Sequence, residues 1–242
     1  MDSVSAQPDL MRPIASVLIV GVGGGLGTSL ARVFKAEGYR LALAARHPQR
    51  LESLAQELGA VAIGCDASDP NQVAALFEQV DRSFDAAPDV VIYNPSARVR
   101  GAITEVDPQA VAQALAVSAF GGFLVAKHAA QRMLSRGSGT LLFTGASASL
   151  KGFAQSAAFA MGKFALRGLA QSLARELAPQ GIHVAHVVID GIIRSADRNT
   201  ITDAPDALLD PDAIARSYLQ LVQQPRSAWT SELELRPWVE RF

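Results

Sequence analysis

Glycine occupies positions 21, 23, 24, 25 and 27, directly after an apolar, β-branched run at residues 17–20. Leu26, Leu30, Val33 and Phe34 then recur at helical spacing. The order is strand, tight glycine turn, helix. Glycine backbone can approach a phosphate closely, and a helix N-terminus presents unpaired N–H donors at the positive end of its dipole. That chemistry suits a dinucleotide pyrophosphate. Gly21, Gly25 and Gly27 space as G-x-x-x-G-x-G. The more general G-x-G-x-x-G does not fit, because Leu26 stands where its last glycine belongs.

Further polar groups fall at the ends of apolar runs. A second strand, residues 40–45, ends at Arg46 and His47. An acid there would bond a ribose 2′-hydroxyl, whereas an arginine accommodates a 2′-phosphate. No Asp or Glu lies between Arg40 and Arg50, so Arg46 argues for NADP over NAD, with Arg50 as a second contact. The competing reading is an arginine solvated on a loop. Asp66, with Ala67 beside it, ends a third strand. It offers acceptors to an adenine amino group, or else it closes a turn. Asn94 follows a fourth strand in the string Tyr93-Asn94-Pro95-Ser96-Ala97; Tyr93 reads as a core residue with a solvated hydroxyl.

These groups need a frame that gathers strand ends. Further strands are expected at 60–65, 89–93, 140–144, 183–189 and 232–235, and helices at 48–58, 69–84, 107–134, 155–177 and 210–223. Asp69-Pro70 and Asp210-Pro211 each join an N-cap to a proline at the first helical position. Pro179 and Gly181 end the 155–177 helix. The alternation implies an α/β fold: a Rossmann-type, doubly wound parallel sheet of about seven strands with helices on both faces. Its ligand crevice lies beyond the carboxyl ends of the strands. Residues 1–15 read as a flexible tail and 16–242 as a single domain.

A chain of 242 residues suits one such domain. The net charge of −1 shows no basic excess for nucleic acid. The lone Cys65 allows no disulfide within the chain, which fits a reducing, cytoplasmic setting. No apolar run reaches the length of a membrane span, and the first residues lack the order of a signal peptide. His183 and His186 stand three apart on a strand and so face opposite ways; His47 and His128 are isolated. No metal-ligand spacing is present.

The glycine turn, Asp66, Asn94 and the stretch FAMGKFALRGLAQSLARELAPQGIHV resemble the short-chain dehydrogenase/reductase family over nearly the whole chain. The resemblance implies a nicotinamide cofactor and four functional positions. A tyrosine exchanges a proton with the substrate oxygen. A lysine one helical turn later lowers the tyrosine's pKa and holds the nicotinamide ribose. A serine positions the substrate oxygen, and an asparagine on the preceding long helix maintains a water path. Here Lys163 is present, but Phe159 holds the tyrosine position, Ala146 the serine position and Ser118 the asparagine position. The intervals from Asn94 fit the family without gaps, so the chain resembles a divergent branch with a degenerate tetrad, marked by Phe143-Thr144-Gly145-Ala146.

Other family strings are partly kept. N-N-A-G after the fourth strand is Y-N-P-S here, and P-G after the sixth is Asp190-Gly191, followed by Ile192 and Ile193, whose backbone remains able to bond a carboxamide. Ser147, Ser149 and Lys151 follow close behind Ala146, and Ser147 is the first candidate to replace the missing donor. The family's substrate loop falls on residues 194–209 and carries no substrate signature. Small-residue helices at 110–130 and 157–174, with an aromatic tail at 229–242, predict a homodimer or homotetramer. Two functions fit: an NADPH-dependent oxidoreductase acting on a small carbonyl compound or alcohol, or an NADP-binding sensor or assembly protein. Neither calls for a nucleic acid or a membrane.

Overall fold

The apolar runs form strands buried on both faces, as a parallel sheet between two helix layers requires. The computed structural model describes residues 15–195 and 206–239. In chain order the elements are β1 (Ser16–Val20), α1 (Leu26–Ala36), β2 (Arg40–Ala45), α2 (Glu52–Leu58), β3 (Val61–Gly64), α3 (Pro70–Phe84) and β4 (Val90–Tyr93). There follow α4 (Pro108–Leu115), α5 (Gly121–Arg136), β5 (Gly139–Thr144), α6 (Ala157–Leu177), β6 (Ile182–Ile189), α7 (Pro211–Val222) and β7 (Glu232–Leu235). All seven strands run parallel in the order β3-β2-β1-β4-β5-β6-β7. The order reverses between β1 and β4, which is where such a sheet opens its crevice.

One face of the sheet packs on α1, α2 and α7 through residues such as Leu30, Phe34, Leu58 and Tyr218. The other packs on α3, α5 and α6 through Phe77, Val125, Met133 and Leu166. Three helices start alike. Asp69, Asp107 and Asp210 each accept backbone N–H bonds from the two residues after an N1 proline. The segment 48–58 enters its helix through a 3₁₀ turn at Pro48–Leu51.

The helix expected over 107–134 differs in two ways. It is interrupted by a wider π turn at Ala116–Phe120, the geometry that often marks a functional position in a helix. The Tyr93 hydroxyl, expected in solvent, is instead buried beneath it and donates to Val117 O, and burial pushes the phenol well above its ordinary pKa. The whole run Pro108–Arg136 is also long and apolar enough to cross a membrane by length and composition. It holds no contiguous apolar run of that length, because Gln113 and Ser118 interrupt the apolar residues before Lys127. In the fold, Leu124, Val125, Ala126 and Ala129 of this run are core residues against the sheet. The expected tail before residue 15, the loop residues 196–205 and the last three residues lie outside the described residues.

Candidate active site

A crevice of 770 Å³ opens at the carboxyl ends of the strands. Its floor is the turn between β1 and α1. Gly21 has φ +83°, and a Cβ there would meet Pro95 N at 2.7 Å; Gly25 also has φ +83°. A Cβ on Gly27 would press on Val22 Cα at 3.0 Å, whereas one on Gly23 would meet nothing within 4 Å and point into open space. Gly25 caps α1 without any side-chain hydrogen bond, and the first turn of α1, beginning at Leu26, holds no acid. The first N–H groups of that helix therefore remain for a ligand, and the dipole favours an anion. This cradle fits a dinucleotide pyrophosphate. Asn94 fastens the switch point by donating Nδ2 to Gly21 O at 2.9 Å.

At one end, beyond β2, the crevice is lined by Arg46, His47 and Arg50. Beyond β3 it is lined by Cys65, Asp66 and Ala67. Asp66 commits one carboxylate oxygen, Oδ1, to the Ser68 amide and hydroxyl at 2.9 and 2.7 Å, so it does close a turn. Burial pushes the Cys65 thiol up to about 12, which keeps it protonated and unreactive.

At the other end, Thr144, Gly145, Ala146, Phe159 and Lys163 line the crevice together with Gly191 and Ile193. Lys163 is buried, and its Nζ donates to Thr144 O at 2.7 Å. Burial, with the nearby charge of Arg98, lowers its pKa to about 7. Thr144 turns its hydroxyl to Tyr218, 2.8 Å away and beneath the sheet. Phe159 and Ala146 form an apolar patch with Ala148.

Ser118, Ser147, Ser149 and Lys151 are not among the residues that line the crevice. Ser118 lies in the π turn, where its hydroxyl accepts from Ala97 N at 3.2 Å and its Cβ faces Gly162 across the contact with α6. Ser147 opens a 3₁₀ turn, Ser147–Ser149, that carries it away from the lining residues. The buried member of that turn is Ser149, whose hydroxyl accepts from Ala146 N at 3.2 Å and lies 3.3 Å from His186 Nε2. His186 Nδ1 lies 3.4 Å from Glu232, which Arg167 grips with two bonds of 2.7 Å. Burial holds the imidazole neutral, so this chain of groups braces the wall behind Ala146. His183, on the opposite face, stacks on Trp229 at 4.9 Å. Asp190, in place of the family proline, turns away to Arg236 at 3.1 Å.

Sequence reasoning missed Arg98. It lines the crevice from the loop after β4, with its guanidinium 4.2 Å from the centroid of the Phe159 ring. Its one signal in the sequence was a cation just past a strand end.

Residues 15–205 match the family model of the short chain dehydrogenases. A short-chain dehydrogenase from Rhodopseudomonas palustris superposes with a TM-score of 0.80 at 37% identity, over 93% of this chain and 99% of that one. An alcohol dehydrogenase from Thermococcus sibiricus, complexed with 5-hydroxy-NADP, shares the fold with a TM-score of 0.83 at 24% identity, over 94% and 98% of the two chains. An NADPH-dependent 1-acyldihydroxyacetone phosphate reductase of Schizosaccharomyces pombe is 26% identical over 87% of this chain and 71% of its own.

Proposed function

Because the chain belongs to the short-chain dehydrogenase family, we propose that it is an NADP(H)-dependent oxidoreductase acting on a small carbonyl compound or alcohol, with a reaction centre that works without the family's tyrosine and serine. One observation carries the reading: a single crevice joins the glycine cradle, the Arg46–Arg50 cations and the buried Lys163. The named cofactors of the Schizosaccharomyces and Thermococcus proteins support NADP. A reducing, cytoplasmic setting belongs to the same reading.

A nicotinamide held in this crevice would supply or accept the hydride. Reducing a carbonyl forms one C–H bond, breaks the C=O π bond and needs one proton at the oxygen. Arg46 and Arg50 would hold the 2′-phosphate, and the free amides of α1 would hold the pyrophosphate. The Lys163 ammonium would hold the ribose. The side chains of Phe159 and Ala146 give neither a proton nor a hydrogen bond. Lys163 titrates near neutrality and is the acid at hand, directly or through one water. A lost general acid costs a factor of ~10² to 10⁴, so turnover is slow rather than absent.

Two measurements test this. Fluorescence titration gives NADPH tighter than NADH by about tenfold or more, and Arg46→Asp abolishes or reverses the preference; equal affinity for both cofactors overturns it. NADPH oxidation at high protein concentration follows with simple diketones and quinones. Binding without any turnover turns the reading to an NADP-binding sensor or assembly protein, which the apolar Phe159 and Ala146 favour.

A further inference from the structure

Four hydroxyl groups lie in the elements around the reacting end of the crevice, and each is engaged elsewhere. The Thr144 hydroxyl pairs with Tyr218 at 2.8 Å. The Tyr93 hydroxyl donates to Val117 O beneath the π turn. The Ser118 hydroxyl accepts from Ala97 N, and the Ser149 hydroxyl accepts from Ala146 N, each at 3.2 Å. Tyr93, Ser118 and Ser149 are buried, and Ser147 does not line the crevice. The lining at this end is apolar: Val117, Ala146, Phe159 and Ile189. Ser96 also lines the crevice, but Pro95 beside it lies against Gly21 at the glycine turn, on the side of the cradle. Arg98 is no acid, because a guanidinium keeps its proton at any working pH. Lys163 is the acid that remains, and its Nζ is already given to Thr144 O.

We propose that the substrate is a 1,4-quinone, a carbonyl compound that accepts a hydride without needing a proton from the protein. The inference rests on the oxidoreductase reading above and names its substrate class. A simple ketone that takes a hydride at carbon leaves an alkoxide about as basic as hydroxide, whose conjugate acid, water, has a pKa of about 15.7. Such an oxygen must be protonated as it forms. A quinone that takes a hydride at one oxygen gains an O–H bond there. Both C=O π bonds are lost, the ring becomes aromatic, and the electron pair ends on the far oxygen as a phenolate. A phenol has a pKa of about 10, so that oxygen can wait for solvent. The reductant is a reduced nicotinamide, and the balance needs nothing further from the chain. Loss of a general acid costs a ketone a factor of ~10² to 10⁴, and it costs a quinone little. The apolar side chains of Phe159, Ala146, Val117 and Ile189 suit a flat, uncharged ring.

The test compares 1,4-naphthoquinone with 1-tetralone, a ketone on the same two-ring frame. NADPH oxidation is followed at saturating NADPH, with the protein-free rate subtracted. A quinone is the better electrophile in any site, so the response to restored hydroxyls decides. The double variant Phe159→Tyr, Ala146→Ser speeds tetralone reduction by about 10²-fold or more and leaves the naphthoquinone rate within about threefold. In the parent the quinone rate is level across neutral pH and shows no solvent deuterium isotope effect, whereas a tetralone rate falls as pH rises through about 7, where Lys163 loses its proton. Binding is read apart from turnover, by calorimetry on the NADP⁺-loaded protein, which has no hydride to give. Naphthoquinone binds there, and Ala146→Leu, which adds bulk to the apolar wall, weakens it about tenfold with an unchanged circular dichroism spectrum. Equal acceleration of both compounds by the double variant, a quinone rate that follows the Lys163 titration, or undetectable quinone binding overturns the proposal. If the double variant fails to fold, the pH profile and isotope effect of the parent decide. Tetralone reduced while naphthoquinone is not sinks the substrate class alone. NADPH and naphthoquinone both bound with neither compound reduced sinks the oxidoreductase reading, and the substrate class with it.

Discussion

Lys163 lies 2% exposed, and among the described residues it is in no ion pair. Its folded pKa of about 7 lies below the ordinary 10.5, with burial as the first cause. Between those values the unfolded chain binds more protons than the folded one. Stability therefore rises with pH from about 7 to about 10.5, and the penalty is complete below pH 7. Lys163→Met should raise the melting temperature at pH 7 by on the order of 5 °C and flatten the rise. On the proposed reading the same variant should bind NADPH more weakly, because the ammonium that destabilises the empty fold is the group assigned to the ribose. Calorimetric melts across pH beside a fluorescence titration check both signs; a variant that loses stability at pH 7 contradicts the account. Residues 146, 159 and 163 were legible because a helix and a strand fix their intervals. Arg98 was not, because its loop has no period and its contact with Phe159 joins residues far apart in the chain. Ser147 and Ser149 are separated only by the rotation of one 3₁₀ turn, which sequence does not specify. The tetrad positions make a direct prediction. Phe159→Tyr with Ala146→Ser should create or raise carbonyl reduction, each alone doing less, since the serine positions the oxygen that the tyrosine protonates. A parent chain already as fast as the double variant would show that another group gives the proton.

The elements were the easiest part to read, and for a physical reason. A sheet covered on both faces makes every strand an apolar run, and the helices between announce themselves with aspartate and proline. Asp69 shows the rule: its side chain accepts from Asn71 N and Gln72 N at the start of α3. Asp69→Ala should cost about 1 kcal/mol, read as a lower urea midpoint with an unchanged slope. The π turn at Ala116–Phe120 was not legible, since one extra residue in a helical turn leaves the apolar spacing nearly intact. The glycine turn separates folding from binding. Gly21→Ala forces a side chain into Pro95 at a positive φ, so both stability and cofactor binding should fall. Gly23→Ala meets no protein atom within 4 Å, so the fold should keep its melting temperature while NADPH affinity drops. If Gly23→Ala binds NADPH as well as the parent, the pyrophosphate does not lie against this turn.

For the whole molecule, the apolar surface left uncovered sets the next constraint. Phe120, the last residue of the π turn, and Phe123 in α5 are 46% exposed each, and their rings stack 6.1 Å apart. On the neighbouring α6, Met161 and Phe164 are 51% and 44% exposed. Gly168, further along α6, would place a Cβ in open space. Large apolar side chains on adjacent helices, with a small residue that permits close approach, suit a two-fold contact between copies of this chain. We infer a homodimer, or a homotetramer built from it. The sequence signalled the small residues but could not say which face of each helix the sheet takes and which it leaves to a partner. Phe164 follows Lys163 on α6, with the lysine turned to the crevice and the phenylalanine to solvent. A partner packed on Phe164 therefore braces the helix turn that aims the lysine. The double variant Phe123→Glu, Phe164→Glu places charges on the contact without touching the core. Light scattering at micromolar concentration should give an oligomer for the parent and a monomer for the variant, with the same circular dichroism. NADPH affinity should fall in the monomer by a few-fold, because α6 loses its support. A monomeric parent overturns the assembly, and a monomeric variant with undiminished affinity would show that α6 holds Lys163 in place without help from a second copy.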